Sequence, residues 1–338
     1  ERTAEGGRKI LISGGGRCNV LPAELDERRF VTDSSSNALR RILRSWPLAE
    51  QRNFFERDLR IPLKVEAESG KLFPVSDRAR DIRDALVTHA RAAGVEMRFS
   101  TCLEDAEPTS SGEWRLRCSG GDSIDATALI VATGGLSVPN TGSDGSGLQL
   151  AERLGHVLHP PYPALTPLTQ EPPEFADLAG ISREVTLSAM TAQGKVAARG
   201  GFLFTHRGFS GPAVLDISHV AVRALQAGRR QEILVQWTDF DEAAWDLALR
   251  EPRGTVGTVV RRHLADRLAE ALIAATGLAP EQRLAELPRQ QRRLLVDVLT
   301  RWSLPWTGHE GYKKAEVTGG GVALGEVDPR TLASRRCQ

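Results

Sequence analysis

Residues Ser13–Asn19 read Ser-Gly-Gly-Gly-Arg-Cys-Asn and directly follow the basic and apolar run Lys9–Ile12. Three consecutive glycines carry no side chains to pack, so they are favoured where the backbone takes positive φ angles or lies flat against another group. Bare backbone N–H groups followed by Arg17 are suited to an anion, and Asn19 is suited to the edge of a heterocycle. The alternative is a flexible loop tip.

A second glycine-rich stretch points to the fold class. The continuous apolar run Ala128–Ala132 is typical of a parallel strand buried on both faces, and Thr133-Gly134-Gly135 follows it directly. Open α/β sheets hold their ligands at the carboxyl ends of such strands. We therefore predict an α/β fold in which Ser13–Asn19 and residues 133–145, each following an apolar strand, converge on one cleft.

Composition limits the class of protein. The chain has 338 residues, 41% of them hydrophobic, which is enough for a large core in two or three domains. Its 44 basic and 43 acidic residues give a formal net charge of +1, so no broad field for nucleic acid or an acidic membrane is expected. Four widely spaced cysteines and no long apolar run predict a cytoplasmic protein without a membrane span.

Apolar spacing predicts the local structure of the first half. Helices are expected at 38–46 and 54–59, with a further helix capped by Ser76 and ended by Gly94. Alternation at 95–99 and 114–118 predicts a small β meander. The loop 139–147 opens a helix that Gly155 closes, and the N-terminus of that helix could receive a phosphate.

The second half is expected to be an insertion. The proline-rich stretch 160–173 marks a boundary, β segments follow at 185–189, 195–198, 201–204 and 232–237, and residues 241–302 are mainly helical. A loop at 204–212 interrupts the β region. The chain ends with a second glycine triplet, Gly319–Gly321, which suggests two backbone approaches to one flat ligand.

Histidines are the remaining candidates for chemistry. The pair His156 and His159 lacks further ligands nearby, so we predict no metal site. The loop Thr205-His206-Arg207 combines a hydroxyl, a titratable imidazole and a cation, so His206 is a candidate general base. A histidine that is hydrogen-bonded within a strand corner is the alternative.

These motifs together resemble one bacterial flavoprotein family, the FAD-dependent oxidoreductases that include aminoacetone oxidase and the flavoprotein of the bile-acid-dehydroxylation operon. The resemblance rests on five stretches that follow the family's order over nearly the whole chain: Gly7–Asn19, Lys71–Asp77, Ala132–Ser137 with its glycine loop, Phe204–Pro212, and Glu316–Val322.

The resemblance implies a Rossmann-like FAD-binding domain, formed by residues 1–162 and 307–338. It is interrupted by a β-barrel-like domain at 163–240 and a helical domain at 241–306. It also implies a strand and a Gly-x-Gly-x-x-Gly turn ahead of Glu1 and a flavin-closing segment after Gln338, so we expect a family member that lacks both ends. Family members often have threonine and asparagine where this chain has Val20 and Leu21.

The candidate site residues follow from the glycine loops and the resemblance. We assign cofactor binding to Glu1, Arg8, Lys9, Ser13, Gly14, Gly15, Gly16, Arg17, Cys18, Asn19, Leu103, Ala132, Thr133, Gly134, Gly135, Gly142, Asp144 and Gly145. Glu1 and Leu103 come from the resemblance alone, for ribose and adenine respectively, and Leu103 could equally be an ordinary strand residue.

Two side chains are expected to be catalytic: Arg17, which is also assigned to cofactor binding, and His206. Arg17 would stabilise an anionic reduced flavin, but it could also bind the pyrophosphate or pair with an acidic residue. For Cys18 a packing role is favoured over a redox role, because no second cysteine lies nearby in sequence.

The function indicated is an FAD-dependent oxidoreductase acting on a small molecule. An amine, a carbonyl compound or NAD(P)H would supply the electrons. No nucleic-acid or membrane partner is expected. The alternative is a cofactor-free remnant or scaffold of the same fold, and a nucleic-acid-binding protein ranks third because the net charge is near zero.

Overall fold

The computed structural model describes residues 1–337 and divides the chain into two compact units. The first unit comprises Glu1–Pro161 and the chain from Gly320 onward, and the second comprises Tyr162–Gly319. The boundaries of the three expected domains stay a prediction.

Ten α-helices lie within the described residues. They are α1 Arg8–Ile12, α2 Ser36–Ser45, α3 Leu48–Asn53, α4 Ala79–Ala92, α5 Ser146–Arg153, α6 Pro212–Gln226, α7 Glu242–Ala248, α8 Val256–Arg261, α9 Asp266–Ala274 and α10 Arg289–Arg301.

The strands of the same residues, in chain order, are short except in the second unit. They are β1 Leu21–Pro22, β2 Leu63–Glu66, β3 Lys71–Pro74, β4 Leu103–Pro108, β5 Trp114–Cys118, β6 Ser123–Ala126, β7 Leu158–Ala164, β8 Leu168–Thr169, β9 Ser182–Thr191, β10 Gly194–Thr205, β11 Gly208–Ser210, β12 Leu234–Gln236, β13 Trp302–Ser303, β14 Gly308–His309 and β15 Val317–Val322.

The first unit contains two small antiparallel sheets, ordered β1-β3-β2 and β4-β5-β6. The expected helix at 38–46 is present as α2, and the helix expected between Ser76 and Gly94 is present as α4, with Gly94 following it at a φ of 82°. The prediction that Ser76 caps α4 is wrong. Asp77 has a φ of 54° and turns the chain, so the helix begins at Ala79 without a side-chain cap.

The expected strand at 95–99 is also absent. Residues 95–99 form no strand, and Ser100 has a φ of 54°, which is incompatible with regular β pairing. The segment instead lies beside the N-terminus, where Ser100 N donates to Thr3 O at 3.0 Å and Thr101 N donates to Glu1 O at 3.0 Å. The meander therefore starts at β4.

The predicted buried strand at 128–132 is the largest error of the sequence-based fold. Residues 127–135 form no strand in the structure, and Ile130 is 89% exposed. A strand depends on ladder hydrogen bonds to a neighbour, and no described strand pairs with this run. Its apolar composition is therefore not matched by burial.

The second unit is built on one seven-stranded sheet with the order β13-β12-β9-β10-β11-β8-β14. The two expected segments at 195–198 and 201–204 are a single strand, β10, which pairs with β9 over residues 194–203. The expected loop at 204–212 is instead a hairpin: β10 pairs with β11, only His206 and Arg207 form the turn, and α6 starts at Pro212.

Helix α6 was not predicted, although one of its faces is completely buried. Ala213, Val214, Ile217 and Ala221 are completely buried against the sheet, and fully burying a valine or isoleucine contributes about 1.5–3 kcal/mol. Pro212 stands at its first turn, which is a usable start signal. One hydrophobic cluster extends from Leu168 to Trp306 and includes strands and helices alike.

The second glycine triplet is used for packing within the chain. A Cβ on Gly319 would lie 2.2 Å from the ring of Tyr162, and one on Gly320 would lie 2.4 Å from the carbonyl oxygen of Pro160. The Cβ side of each of these two glycines is therefore filled by the chain itself, although Gly320 is exposed. The suggestion that both glycine triplets approach one flat ligand stays a prediction.

Candidate cofactor site

The first glycine triplet forms a left-handed turn after helix α1. The prediction that a strand precedes this loop is wrong, since Arg8–Ile12 is helical. Gly14, Gly15 and Gly16 have φ angles of 56°, 69° and 87°. All three values lie in the left-handed region that favours glycine. The glycines therefore form a positive-φ turn, which is one of the two uses expected from the sequence.

The three glycines differ in what surrounds them. A Cβ on Gly14 would lie 2.7 Å from Cε1 of Phe73 and 2.9 Å from the backbone nitrogen of Asn19, so close packing requires glycine there. A Cβ on Gly15 would meet nothing within 4 Å. The outer face of the turn is thus bare, exposed backbone at Gly15.

Arg17 is held by contacts within the first unit. Its Nη1 donates to Oε1 of Glu66 at 2.7 Å, its Nε donates to Gly14 O at 3.3 Å, and its guanidinium carbon lies 4.2 Å from the centroid of Phe73. The hydrogen bond to Glu66 raises the pKa of Arg17. Hydrogen bonds from Ser69 and Arg17 in turn lower the pKa of Glu66. Among the alternatives for Arg17, pairing with an acidic residue is thus present in the structure.

The neighbours of Arg17 in the motif have different surroundings. Cys18 is only 5% exposed and packs with Ala79 and Ile82, which agrees with a packing role. Burial raises the pKa of its thiol. Ser13 accepts the backbone N–H of Cys18 at 2.9 Å. The carboxamide of Asn19 makes no hydrogen bond to any described residue and remains available to a ligand.

The N-terminal segment lies beside the second glycine loop. Lys9 Nζ donates to the carbonyl oxygen of Ser137 at 2.7 Å, and burial lowers the pKa of Lys9. Arg2 forms an ion pair with Asp144, and a Cβ on Gly142 would lie 3.1 Å from Cγ2 of Thr3. Arg8, the other assigned cation, is exposed, and its guanidinium makes no described contact.

The glycine-rich loop at residues 133–145 folds closely on itself. Gly145 N donates to Gly135 O at 3.1 Å. A Cβ on Gly134 would lie 2.9 Å from the hydroxyl of Ser143, and one on Gly145 would lie 2.7 Å from Leu136. Thr133 donates to the carbonyl of Gly134 at 3.3 Å. These glycines are needed to close the loop, while the backbone of 132–134 stays exposed.

Asp144 affects the expected phosphate site at the N-terminus of α5. Its Oδ1 accepts the N–H of Ser146 at 3.1 Å, and it also pairs with Arg2. The first N–H of this helix therefore already has an anionic partner within the chain.

The two residues assigned from the resemblance alone are in ordinary environments. The Glu1 carboxylate accepts from the backbone N–H and the hydroxyl of Thr3 at 2.9 and 2.6 Å. Leu103 is partly buried in β4 and pairs with Cys118 next to an irregularity in register. Their contacts to a nucleotide stay predictions.

His206 occupies the two-residue turn between β10 and β11 in the second unit. The side chain is exposed and makes no described hydrogen bond, so the alternative of a hydrogen-bonded histidine in a strand corner is not what the structure contains. Arg207 beside it is also exposed, and its backbone N–H is bound by Thr205 Oγ1 at 3.3 Å.

The other histidines considered are bound to serines. His156 Nε2 lies 2.9 Å from Ser334 Oγ, and His159 Nε2 lies 2.9 Å from Ser34 Oγ. Within residues 1–337, no group of three or more His, Cys, Asp or Glu is arranged to hold a metal ion. No described helix is both long and apolar enough to cross a membrane.

Sequence reasoning missed the partners that fix this site. Glu66 and Phe73 hold Arg17, and Ser137 holds Lys9. The stretch Lys71–Asp77 carries part of the resemblance, but its sequence alone predicts no role for Phe73. The signal available in the sequence was Phe73, an aromatic residue in that stretch that could have been considered as a partner for an arginine.

A family described as HI0933-like protein Rossmann domain matches residues 1–338. The chain belongs to this family. The family is an FAD-binding one, which confirms the α/β, Rossmann-like fold class and supports an oxidoreductase-type flavoprotein. The error at 128–132 concerns one strand and leaves the class unchanged.

Three curated relatives extend the comparison. Two are named ribosomal RNA dihydrouridine synthase: one from Escherichia coli is 32% identical over 340 residues, and one from Haemophilus influenzae is 31% identical over 352 residues. Each alignment covers 98% of this chain and 80% of the relative.

The third relative is 3-dehydro-bile acid delta(4,6)-reductase from Clostridium scindens, 28% identical over 336 residues, or 97% of this chain and 81% of the relative. It supports the bile-acid part of the resemblance, whereas the likeness to aminoacetone oxidase stays a prediction. All three are named as enzymes, which supports an enzymatic function in general.

Proposed function

We propose that this protein is an FAD-dependent reductase that saturates a carbon–carbon double bond conjugated to a carbonyl group. The observation that carries the proposal is the reaction type shared by the relatives' names over nearly the whole chain. A dihydrouridine synthase forms a uridine whose ring double bond, next to a carbonyl, has been reduced. A delta(4,6)-reductase of a 3-dehydro compound reduces ring double bonds conjugated to the 3-oxo group.

The residues present suit FAD. The bare backbone at Gly15 suits a flat group, because a Cβ placed on Gly15 would have no atom within 4 Å. The unpaired guanidinium of Arg8 suits a pyrophosphate, and the unbonded carboxamide of Asn19 suits a ring edge. We assign FAD binding to Gly14–Asn19 and Ala132–Gly135, and the shape of the second loop to Gly142–Gly145.

Bound, reduced FAD would supply hydride chemistry: a hydride would add to the β-carbon of the conjugated system and a proton to the α-carbon, so that two electrons and two hydrogens reach the double bond. NAD(P)H is the proposed source of the electrons. Arg17 places a positive charge beside the glycine turn, and its contacts with Glu66 and Phe73 restrain the position of the guanidinium group. The exposed imidazole of His206 is proposed to move a proton.

Uridine in ribosomal RNA is the first substrate candidate, because two relatives carry that name. A small conjugated ketone, without a nucleic-acid partner, is the second, supported by the bile-acid reductase. A cofactor-free scaffold is the competing class. All four cysteines are free, which fits a reducing compartment and supports the proposal that the protein is cytoplasmic.

A visible spectrum of the purified protein supplied with FAD tests the first step, and a retained flavin spectrum is expected. The protein is then given NADH or NADPH and either unmodified ribosomal RNA or a 3-oxo-4,6-diene steroid, with products identified by mass spectrometry. Gain of two hydrogens by either substrate supports the reductase. Failure to retain flavin, together with no reduction of either substrate, would overturn it in favour of the scaffold.

A further inference from the structure

A basic cleft lies in the first unit, apart from the residues assigned to FAD. Its volume is about 810 Å³, and it lies between helix α2 and the segment 328–335. The charged side chains that line it are Arg40, Arg41, Arg44, Arg330, Arg335 and Asp328.

The single aspartate of the cleft is already engaged. Asp328 Oδ1 accepts the backbone N–H groups of Arg330 and Thr331 at 2.9 and 3.0 Å and the Thr331 hydroxyl at 3.2 Å. The hydrogen bonds from these two N–H groups lower the pKa of Asp328. The hydrogen bonds of this carboxylate are therefore made within a local turn, and the nearby charge of Arg335 lowers its pKa further.

The arginines divide into two sets. Arg40 and Arg44 share the carboxylate of Glu27, with distances of 2.8 Å from each. Arg41, Arg330 and Arg335 are exposed, and their guanidinium groups make no hydrogen bond or ion pair with the described residues. Arg335 acts electrostatically on Asp328, but the cleft still holds more positive than negative charge, which favours an anionic ligand.

The lining favours contact with phosphates over contact with bases. Among the described residues that line the cleft, none is aromatic, so no stacking platform for a base is present. Guanidinium groups bind phosphate through paired N–H donors and do so independently of sequence. The net charge of +1 does not reveal this patch, because a net charge says nothing about where charges lie. Its arginines are near one another only in the folded chain, since they come from residues 40–44 and 330–335.

We infer that this cleft, through Arg41, Arg330 and Arg335, binds the phosphate backbone of an RNA substrate. The inference rests on the proposed reduction of uridine in ribosomal RNA. The cleft anchors the RNA by charge, while the reactive uridine is selected elsewhere.

Binding of a short fluorescein-labelled RNA hairpin, followed by fluorescence anisotropy over a series of salt concentrations, tests the inference. The triple variant R41A/R330A/R335A is compared with R91A/R253A/R293A, which removes three exposed, unpaired arginines elsewhere. We expect Kd to rise by about tenfold or more in the cleft variant, by less than about twofold in the control, and the salt slope to fall by about 2–3. The lysine triple variant R41K/R330K/R335K keeps the charge and should retain most of the binding.

Three outcomes overturn the inference: no binding of RNA by the unaltered chain, equal loss in both alanine variants, or unchanged binding in the cleft variant. Reduction of the steroid is measured in parallel, and we expect it to be equal in all variants. Intact RNA reduction with an unaffected cleft variant would remove the cleft and leave the proposed function standing. RNA binding through the cleft without reduction of either substrate would support the cleft and overturn the proposed function.

Discussion

The ammonium group of Lys9 donates a 2.7 Å hydrogen bond to the backbone carbonyl of Ser137, 128 positions further along the chain. The bond connects helix α1, which leads into the glycine turn Gly14–Gly16, to the second glycine-rich stretch, residues 133–145. Ser137 is only 1% exposed, so its carbonyl depends on partners from the protein. This contact supports the prediction that the two glycine-rich stretches serve one site.

Lys9→Met is expected to lower the free energy of unfolding by about 1 kcal/mol, because it removes that hydrogen bond while keeping a side chain of similar length. Urea unfolding at neutral pH measures the change. Arg8→Met is the matched control, since Arg8 is exposed and its side chain makes no described contact. Equal effects of the two substitutions would contradict the structural role of Lys9.

Alanine at Gly14 and at Gly15 should have separable effects. Both positions have positive φ, which costs an alanine about 1–2 kcal/mol. Gly14→Ala should cost about 2–5 kcal/mol in total, because its Cβ also meets Phe73 and Asn19.

Gly15→Ala leaves packing intact but blocks the bare face proposed for the cofactor, so FAD affinity should fall more than stability does. Flavin titration and urea unfolding on the same samples measure both quantities. Unchanged FAD affinity in Gly15→Ala would remove this turn from the proposed site.

Arg17→Met should lower the midpoint potential of the bound flavin by about 30 mV, equivalent to about 1.4 kcal/mol for two electrons. The reason is that a cation near the ring stabilises the anionic reduced form. Glu66→Gln removes the opposing charge and should raise the potential, so the pair of variants gives opposite signs. A potential unaffected by either substitution would exclude the electrostatic role.

Cys18 should give a pH-dependent contribution to stability. Burial raises the folded-state pKa of its thiol above the ordinary value of 9.0, so the folded chain retains a proton that the unfolded chain loses. The contribution is fully present below pH 9.0 and is lost as the pH rises through the raised pKa.

Urea unfolding of the unaltered chain and of Cys18→Ala at several pH values measures the contribution of the thiol to the free energy of unfolding. The difference in free energy between them should shrink as the pH increases above 9.0. A difference that is constant with pH would mean that the thiol is not buried as described.

His206→Ala should leave the free energy of unfolding within about 0.5 kcal/mol, because the side chain is exposed at a turn. If His206 moves a proton in the reaction, kcat should fall by about 10²–10⁴, with a changed pH profile. Arg207→Ala at the same turn is the control for loss of binding charge. Unchanged kcat in His206→Ala for every substrate reduced would withdraw the catalytic assignment.

Local sequence determined much of the secondary structure. Helices α2, α4 and α5 follow their apolar spacing, and Gly94 and Gly155 end two of them with φ angles of 82° and 85°. The positive φ angles at Gly14–Gly16 follow from the glycines themselves. These features depend on short-range sterics and hydrogen bonds within a few residues, which a single sequence contains.

The motif order also determined the family and with it the fold class, since the family matches residues 1–338. The run 128–132 shows the limit of this reasoning. Its composition is that of a buried strand, yet Ile130 is 89% exposed, because a strand requires a partner and composition does not supply one.

Only the tertiary structure decided which distant groups meet. Arg17 could have faced a pyrophosphate or a carboxylate, and the fold of β2 and β3 brings Glu66 and Phe73 to it. The segment 328–335 is nearly 300 positions from α2, and the two form one basic cleft in a chain of almost zero net charge. Contacts between residues so far apart depend on the packing of the whole unit, whereas composition and periodicity describe each segment alone.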